Sequence, residues 1–110
     1  MSSKELVAAS SRPLVLSILV RGENYGYNIL REIRELSGGR LEWSEGMLYP
    51  ILHRLEREGL IRCTWRVADS GRRRKYYRLT AKGKRQIDAE RASWLDVHRT
   101  LTALWGSADA

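Results

Sequence analysis

Between Ser44 and Gly83 the chain sets an amphipathic helix directly before a two-strand pattern with a cationic turn, and few folds satisfy that order. The helix reads EGMLYPILHRLEREG. Ser44 is a hydroxyl N-cap, and Glu45 places a negative charge in the first turn, where the helix dipole favours it. Leu48, Ile51, Leu52 and Leu55 follow the i, i+3, i+4, i+7 spacing of a buried stripe. Met47, Tyr49, Pro50, His53, Arg54 and Arg57 fall on the opposite face, and Gly59 stops the helix. Pro50 removes one backbone hydrogen bond and opposes the carbonyl of Gly46, which predicts a distorted first turn. Ile61, Cys63, Trp65 and Val67 then alternate with Arg62, Thr64 and Arg66, the period of a half-buried strand. Asp69, Ser70 and Gly71 make a turn, and Lys75 to Leu79 return as the partner strand. An arginine-loaded hairpin straight after a one-faced helix is the layout of a winged helix-turn-helix. The expected fold is mainly α with a small β-hairpin.

The flanks fit that core. Leu14 to Val20 is almost wholly apolar, so a helix there is buried on most sides. Pro13 either opens that helix, with Ser11 or Arg12 as its entry, or bends a longer one beginning near Ser3. Gly22 to Tyr25 reads as a turn. A second helix follows from Tyr27, with Ile29, Leu30, Ile33 and Leu36 on one face. Gly38 and Gly39 end it, because glycine enters the left-handed region without steric cost. Leu41 to Trp43 reads as a short extended piece. Thr80 caps a last helix from Ala81 to Trp105.

That last helix has its own signal. Ile87, Trp94 and Leu101 are spaced by seven, as are Val97 and Leu104, giving an a/d seam broken at Glu90. One helix cannot bury such a seam alone. It must lie on a second copy or fold back on the first helix, and its length favours a homodimer. Residues 1–80 are thus expected to form a winged helix-turn-helix domain, and residues 81–110 a dimerisation helix with a short tail.

Charge supports an anionic partner. The 110 residues carry 20 Lys and Arg against 13 Asp and Glu, a net +7, which favours nucleic acid first and anionic membrane second. The excess gains meaning by clustering at Arg72, Arg73, Arg74 and Lys75. A single cysteine, Cys63, permits no intramolecular disulfide and no cysteine-based metal site, which fits a reducing cytoplasm. His53 and His98 lack ligand spacing. No apolar run is long enough to span a bilayer, and no single helix joins a lysine-rich face to an unoccupied apolar face, so no membrane partner is expected. Nothing supports catalysis: there is no nucleophile–base set, no phosphate-cradling glycine loop and no metal spacing, so neither enzyme activity nor a cofactor is expected.

The third helix and the hairpin should act together on double-stranded DNA. A major groove accepts a helix, and residues near its N-terminus reach base edges. Ser44, Met47, Tyr49 and His53 are placed for this, with Arg54 on the same face. Neighbours on a strand point to opposite sides, so two or three of Arg72, Arg73, Arg74 and Lys75 are expected on phosphates or in a narrow minor groove. A winged-helix module that binds protein, indifferent to salt in its behaviour toward DNA, is the other reading. In the seam, two Trp94 side chains facing each other across a dimer axis would frame a slot for a planar hydrophobic ligand. Plain core packing is the alternative there.

The stretches NYGYNILREI (24 to 33), EGMLYPILHRLEREGLI (45 to 61) and GRRRKYYRLTAKG (71 to 83) resemble the PadR family of bacterial transcriptional regulators. The combination of LYP-x-L-x-RLE-x-x-GLI with RKYY-x-LT-x-x-G carries the likeness, which extends over nearly the whole chain. It implies a winged helix-turn-helix with a C-terminal helix that makes a homodimer, and usually a repressor that leaves a palindromic operator when an effector arrives. The chain resembles the short subfamily without a larger C-terminal helical domain. In some short members the first and last helices of both protomers enclose a pore in which a tryptophan stacks on planar drugs. By that analogy Trp94 is the stacking residue, and Leu6, Pro13, Ser17 and His98 line the same space. Met47 departs from the small hydroxyl residue often found at its position, which implies a base preference of its own.

Overall fold

The computed structural model describes residues 4–106. Seven elements follow in order: α1 (Lys4–Val20), β1 (Asn24–Tyr25), α2 (Gly26–Leu36), α3 (Glu45–Arg57), β2 (Ile61–Val67), β3 (Arg73–Leu79) and α4 (Ala81–Trp105). The start near Ser3 and the short tail after α4 fall outside the described residues. From Lys4 onward α1 runs through Pro13 without a break. Of the two readings of that proline, the longer helix is the one observed.

Three faces meet in one core. α1 contributes Val15, Leu16, Ile18 and Leu19, four nearly consecutive buried residues, because other elements pack against more than one side of it. α2 adds Ile29 and Ile33, and α3 adds Leu48, Leu52 and Leu55. Ile51, expected in that stripe, is half-buried at its edge, and Leu36 at the end of α2 is exposed. Trp43 is buried although Leu41 to Trp43 form no strand. Ser44 caps α3 as expected, its Oγ accepting from the Met47 N–H at 3.3 Å.

The sheet has three antiparallel strands in the order β1-β3-β2. The turn read between Gly22 and Tyr25 therefore hides a strand. Asn24 and Tyr25 pair with Tyr77 and Tyr76. Asn24 is buried and accepts at Oδ1 from the Tyr25 N–H and from Asn28 Nδ2, which ties the strand to the start of α2. In the hairpin the alternation reaches the core only at its base. Ile61 and Tyr77 are buried and Cys63 is half-buried, but Trp65 and Val67 are exposed. The outer half of the hairpin stands clear of the helices, so its apolar alternation faces solvent. Gly71 makes the tip with φ 85°, and Ala68 and Arg72 are bonded across it.

Thr80 caps α4 through the Gly83 N–H at 3.0 Å and donates its hydroxyl to the Gly59 carbonyl at 2.7 Å. This seats the helix on the α3–β2 junction. The first part of α4 then folds back on α1. Arg12 joins Glu90 at 2.9 Å and Glu58 at 2.9 Å, linking α1, α4 and the end of α3. Burial works to lower the Arg12 pKa, but the hydrogen bonds and charges of Glu90 and Glu58 leave it raised. Glu90 interrupts the heptad seam because it serves this intramolecular pair. Ile87, expected in the intermolecular seam, lies in the chain's own core instead. From Arg91 to Leu101 every residue of α4 is exposed.

Candidate nucleic-acid interface

α3 buries the side that carries Leu48, Leu52 and Leu55. At 100° per residue the opposite arc carries Gly46, Pro50, His53, Arg54 and Arg57, all exposed. Met47 stands at the edge of that ridge with 40 % of its surface exposed. Ser44, at the N-terminal end, is exposed while its hydroxyl caps the helix. A groove of about 500 Å³ separates Met47, Pro50 and Arg54 from Lys4, Val7 and Ser11 of α1.

Tyr49 sits differently from its expected neighbours. It is half-buried and packs against the core from the side facing α2. Gly26 makes room for it: a Cβ there would lie 2.8 Å from the Tyr49 hydroxyl. Tyr49 therefore wedges α3 against α2 and lines a groove rather than topping the ridge.

That second groove, about 290 Å³, runs between the start of α2, the first turns of α3 and the wing. Tyr25, Tyr27, Glu45, Tyr49 and Trp65 line one part, and Arg72, Arg73, Arg74 and Lys75 the rest. Aromatic faces hold several of the cations. The Arg73 guanidinium lies 4.9 Å from the Trp65 ring centroid and that of Arg74 4.4 Å from Tyr25. Such stacking orients a guanidinium without neutralising it. Arg72 and Arg73 are exposed at the tip.

Lys75 turns inward. Its Nζ lies 3.9 Å from Glu56 of α3 and 5.5 Å from the ring centroid of Tyr77. Burial works to lower its pKa, but Tyr77, Cys63 and Glu56 outweigh it and the ammonium is held above its usual range. The Cys63 thiol is pushed up, first by its hydrogen bond to Glu56 and then by burial. Burial likewise raises the Tyr77 phenol against the opposing pull of Lys75. Lys75 thus ties the wing to α3 from the core side. The sequence pattern places all four cations at a tip and cannot tell this one from the others.

The aromatic platforms under the arginines have no local sequence signature. Tyr25, beneath Arg74, lies in a segment too short to show a period. Alternation alone points Trp65 inward, which conceals its place beneath Arg73.

The five residues expected around a ligand slot do not share one cavity within a protomer. Ser17 borders an apolar groove of about 330 Å³ with Leu14, Ile18, Ile33 and Leu41, whereas Trp94 and His98 lie on the exposed part of α4. Leu6 is largely exposed and Pro13 half-buried on α1. Among the described residues no cluster of His, Cys, Asp and Glu is suited to a metal ion, and no helix is long and apolar enough to cross a membrane.

A three-helix core, a helix with one exposed ridge and a cationic wing beside it define a winged-helix regulator. Known proteins carry the assignment further. Residues 15–89 match the family model described as the transcriptional regulator PadR-like family. A PadR-like transcriptional regulator from Bacillus cereus superposes with a TM-score of 0.83 at 30 % identity, covering 94 % of this chain and 99 % of that one. A transcriptional regulator from Clostridium thermocellum gives 0.83 at 26 % identity, over 94 % and 97 % of the two chains. The transcriptional regulator Rv3488 of Mycobacterium tuberculosis is 41 % identical over 68 residues, 62 % of this chain and 63 % of its own length. The chain belongs to the PadR-like family of transcriptional regulators. It is not an enzyme.

Proposed function

We propose that the protein is an effector-responsive repressor that binds a palindromic operator as a homodimer. Residues 1–80 form the reading head, and the helix after residue 81 pairs two heads. The observation that carries the DNA reading is the exposed α3 ridge beside a groove whose far wall holds Arg72, Arg73 and Arg74. Ser44, Met47, His53 and Arg54 enter a major groove, with Tyr49 at the rim. The wing arginines grip the flanking backbone, and Lys75 holds the wing to α3.

Pairing is supported by the outer part of α4. Trp94, Val97, Leu101 and Leu104 expose 38, 52, 36 and 77 % of their surfaces on one helix. On α1, Leu6, Pro13 and Ser17 fall within roughly 40° of one line at 100° per residue, turned away from the buried Val15. Two such stripes and two Trp94 rings brought together by pairing would frame an apolar slot for a planar aromatic effector. The effector acts by favouring one separation of the reading heads over another, since a ligand shifts an equilibrium only by its differential affinity.

A gel shift on the protein's own upstream DNA tests the reading. The wild type retards the fragment at moderate salt, and the Arg72→Ala/Arg73→Ala/Arg74→Ala variant does not. Binding untouched by the triple substitution would remove the wing from the interface.

A further inference from the structure

Side chains alternate across a strand, so the register sorts the β2–β3 hairpin into two faces. Ile61, Cys63, Tyr77 and Leu79 look into the core and toward α3. Arg62, Thr64, Arg66, Arg74, Tyr76 and Arg78 look the other way. On this outer face Arg62 stands directly opposite Arg78, and Arg66 directly opposite Arg74. Cross-strand partners have Cβ atoms roughly 4.5–5.5 Å apart, and like charges there destabilise the sheet. The hairpin tolerates two such pairs in seven residues per strand.

The face is only partly compensated. Arg66 pairs with Glu23 and lies 4.5 Å from the Tyr76 ring centroid, while Arg74 stacks on Tyr25. Arg62 and Arg78 are exposed and have no carboxylate partner among the described residues. Arg74 also lines the groove beside α3, so the Arg62–Arg78 pair is the part of this face that the first site does not use. Two arginines held side by side across a sheet keep a fixed cation spacing that can lie along a backbone. Duplex DNA offers a continuous, stiff line of charge, about one per 1.7 Å of axis. A flexible acidic peptide would have to be ordered before it matched the same spacing.

We propose that the Arg62–Arg78 end of this outer face holds the phosphate backbone of a second DNA duplex, so that a protein seated on its operator joins two DNA segments. The inference rests on the reading that α3 and the wing tip hold the first duplex. Because α3 packs on the opposite face of the sheet, Arg62 and Arg78 are turned away from that duplex. The second contact is independent of base sequence, since it is made to phosphates.

The test uses the full chain. A biotinylated duplex of the protein's own upstream region is saturated with protein on beads, and a fluorescent duplex of unrelated sequence is added at low salt. The wild type captures the second duplex and releases it as salt rises. Arg62→Ala/Arg78→Ala captures at least about tenfold less, as expected when two phosphate contacts are lost. It still occupies the first duplex as the wild type does, and its melting temperature is unchanged or higher because the repulsion is relieved. A wild type that fills the first duplex but captures no second one overturns the proposal. So does a double variant that captures like the wild type, or one that melts several degrees lower. Capture of labelled polyglutamate in place of the second duplex would assign the face to an acidic protein and also overturn it. A wild type that never occupies the first duplex refutes the operator reading itself and removes the premise of this proposal.

Discussion

Replacing Gly83 by alanine tests how tightly α4 is set against the reading head. A Cβ at this buried position would lie 2.0 Å from the Leu60 carbonyl oxygen and 2.9 Å from its carbon. Both are backbone atoms, and the same oxygen accepts from the Thr80 N–H at 3.0 Å. The chain cannot yield there without loosening the bond that starts α4. Helix propensity alone argues the opposite way, since alanine in a helix interior is worth about 0.5–1 kcal/mol over glycine. Overpacking costs typically about 1–3 kcal/mol and more where backbone must move. The net loss is then on the order of 2 kcal/mol. For a chain of this size that is a fall in melting temperature of roughly 8 °C. Circular-dichroism melts of both proteins at one matched concentration would measure it. A melting temperature unchanged or raised in Gly83→Ala would refute the argument, because propensity would then have won and the close approach would carry no weight.

Other perturbations separate the roles assigned above. Leu101→Asp puts a charge on the exposed part of α4 without touching the core, and light scattering after gel filtration should report a monomer of native helicity; a persisting dimer would put the pairing surface elsewhere. Glu56→Gln removes the carboxylate that is the chief cause of the raised Cys63 pKa, so more thiolate exists at pH 8 and alkylation by iodoacetamide should be faster; an equal or slower rate would contradict that cause. Lys75→Met should leave the log–log salt slope of DNA binding unchanged, whereas Arg72→Ala should flatten it by about one unit per lost phosphate contact. A flatter slope for Lys75→Met would return that lysine to the backbone contacts.

Periodicity explains what the sequence disclosed. The leucine stripe, the Ser44 and Thr80 caps and the alternating run after Leu60 are local patterns, and α3, α4 and the hairpin follow them closely. Asn24 and Tyr25 pair with β3 through contacts more than fifty residues away, and two residues cannot display a period. Trp65 and Val67 alternate correctly yet are exposed, because alternation says which face a side chain takes and not whether anything covers that face. Ile87 obeys the heptad but packs in its own chain, since spacing carries no information about which molecule supplies the partner. Within the site, the α3 ridge and the wing arginines were legible from the sequence. The inward turn of Lys75, the wedging of Tyr49 beside Gly26 and the aromatic rests beneath Arg73 and Arg74 depend on tertiary approach, which no local pattern encodes.

In the proposed dimer two copies of α3 read DNA in register, joined through α4. Hydroxyl-radical footprinting of the full chain on its own upstream DNA tests this most directly. Two protected patches are expected, centred about one helical turn apart, roughly 10 base pairs, with protection of the flanking backbone that disappears in the Arg72→Ala/Arg73→Ala/Arg74→Ala variant. A single protected patch, or protection that the triple variant reproduces, would contradict it.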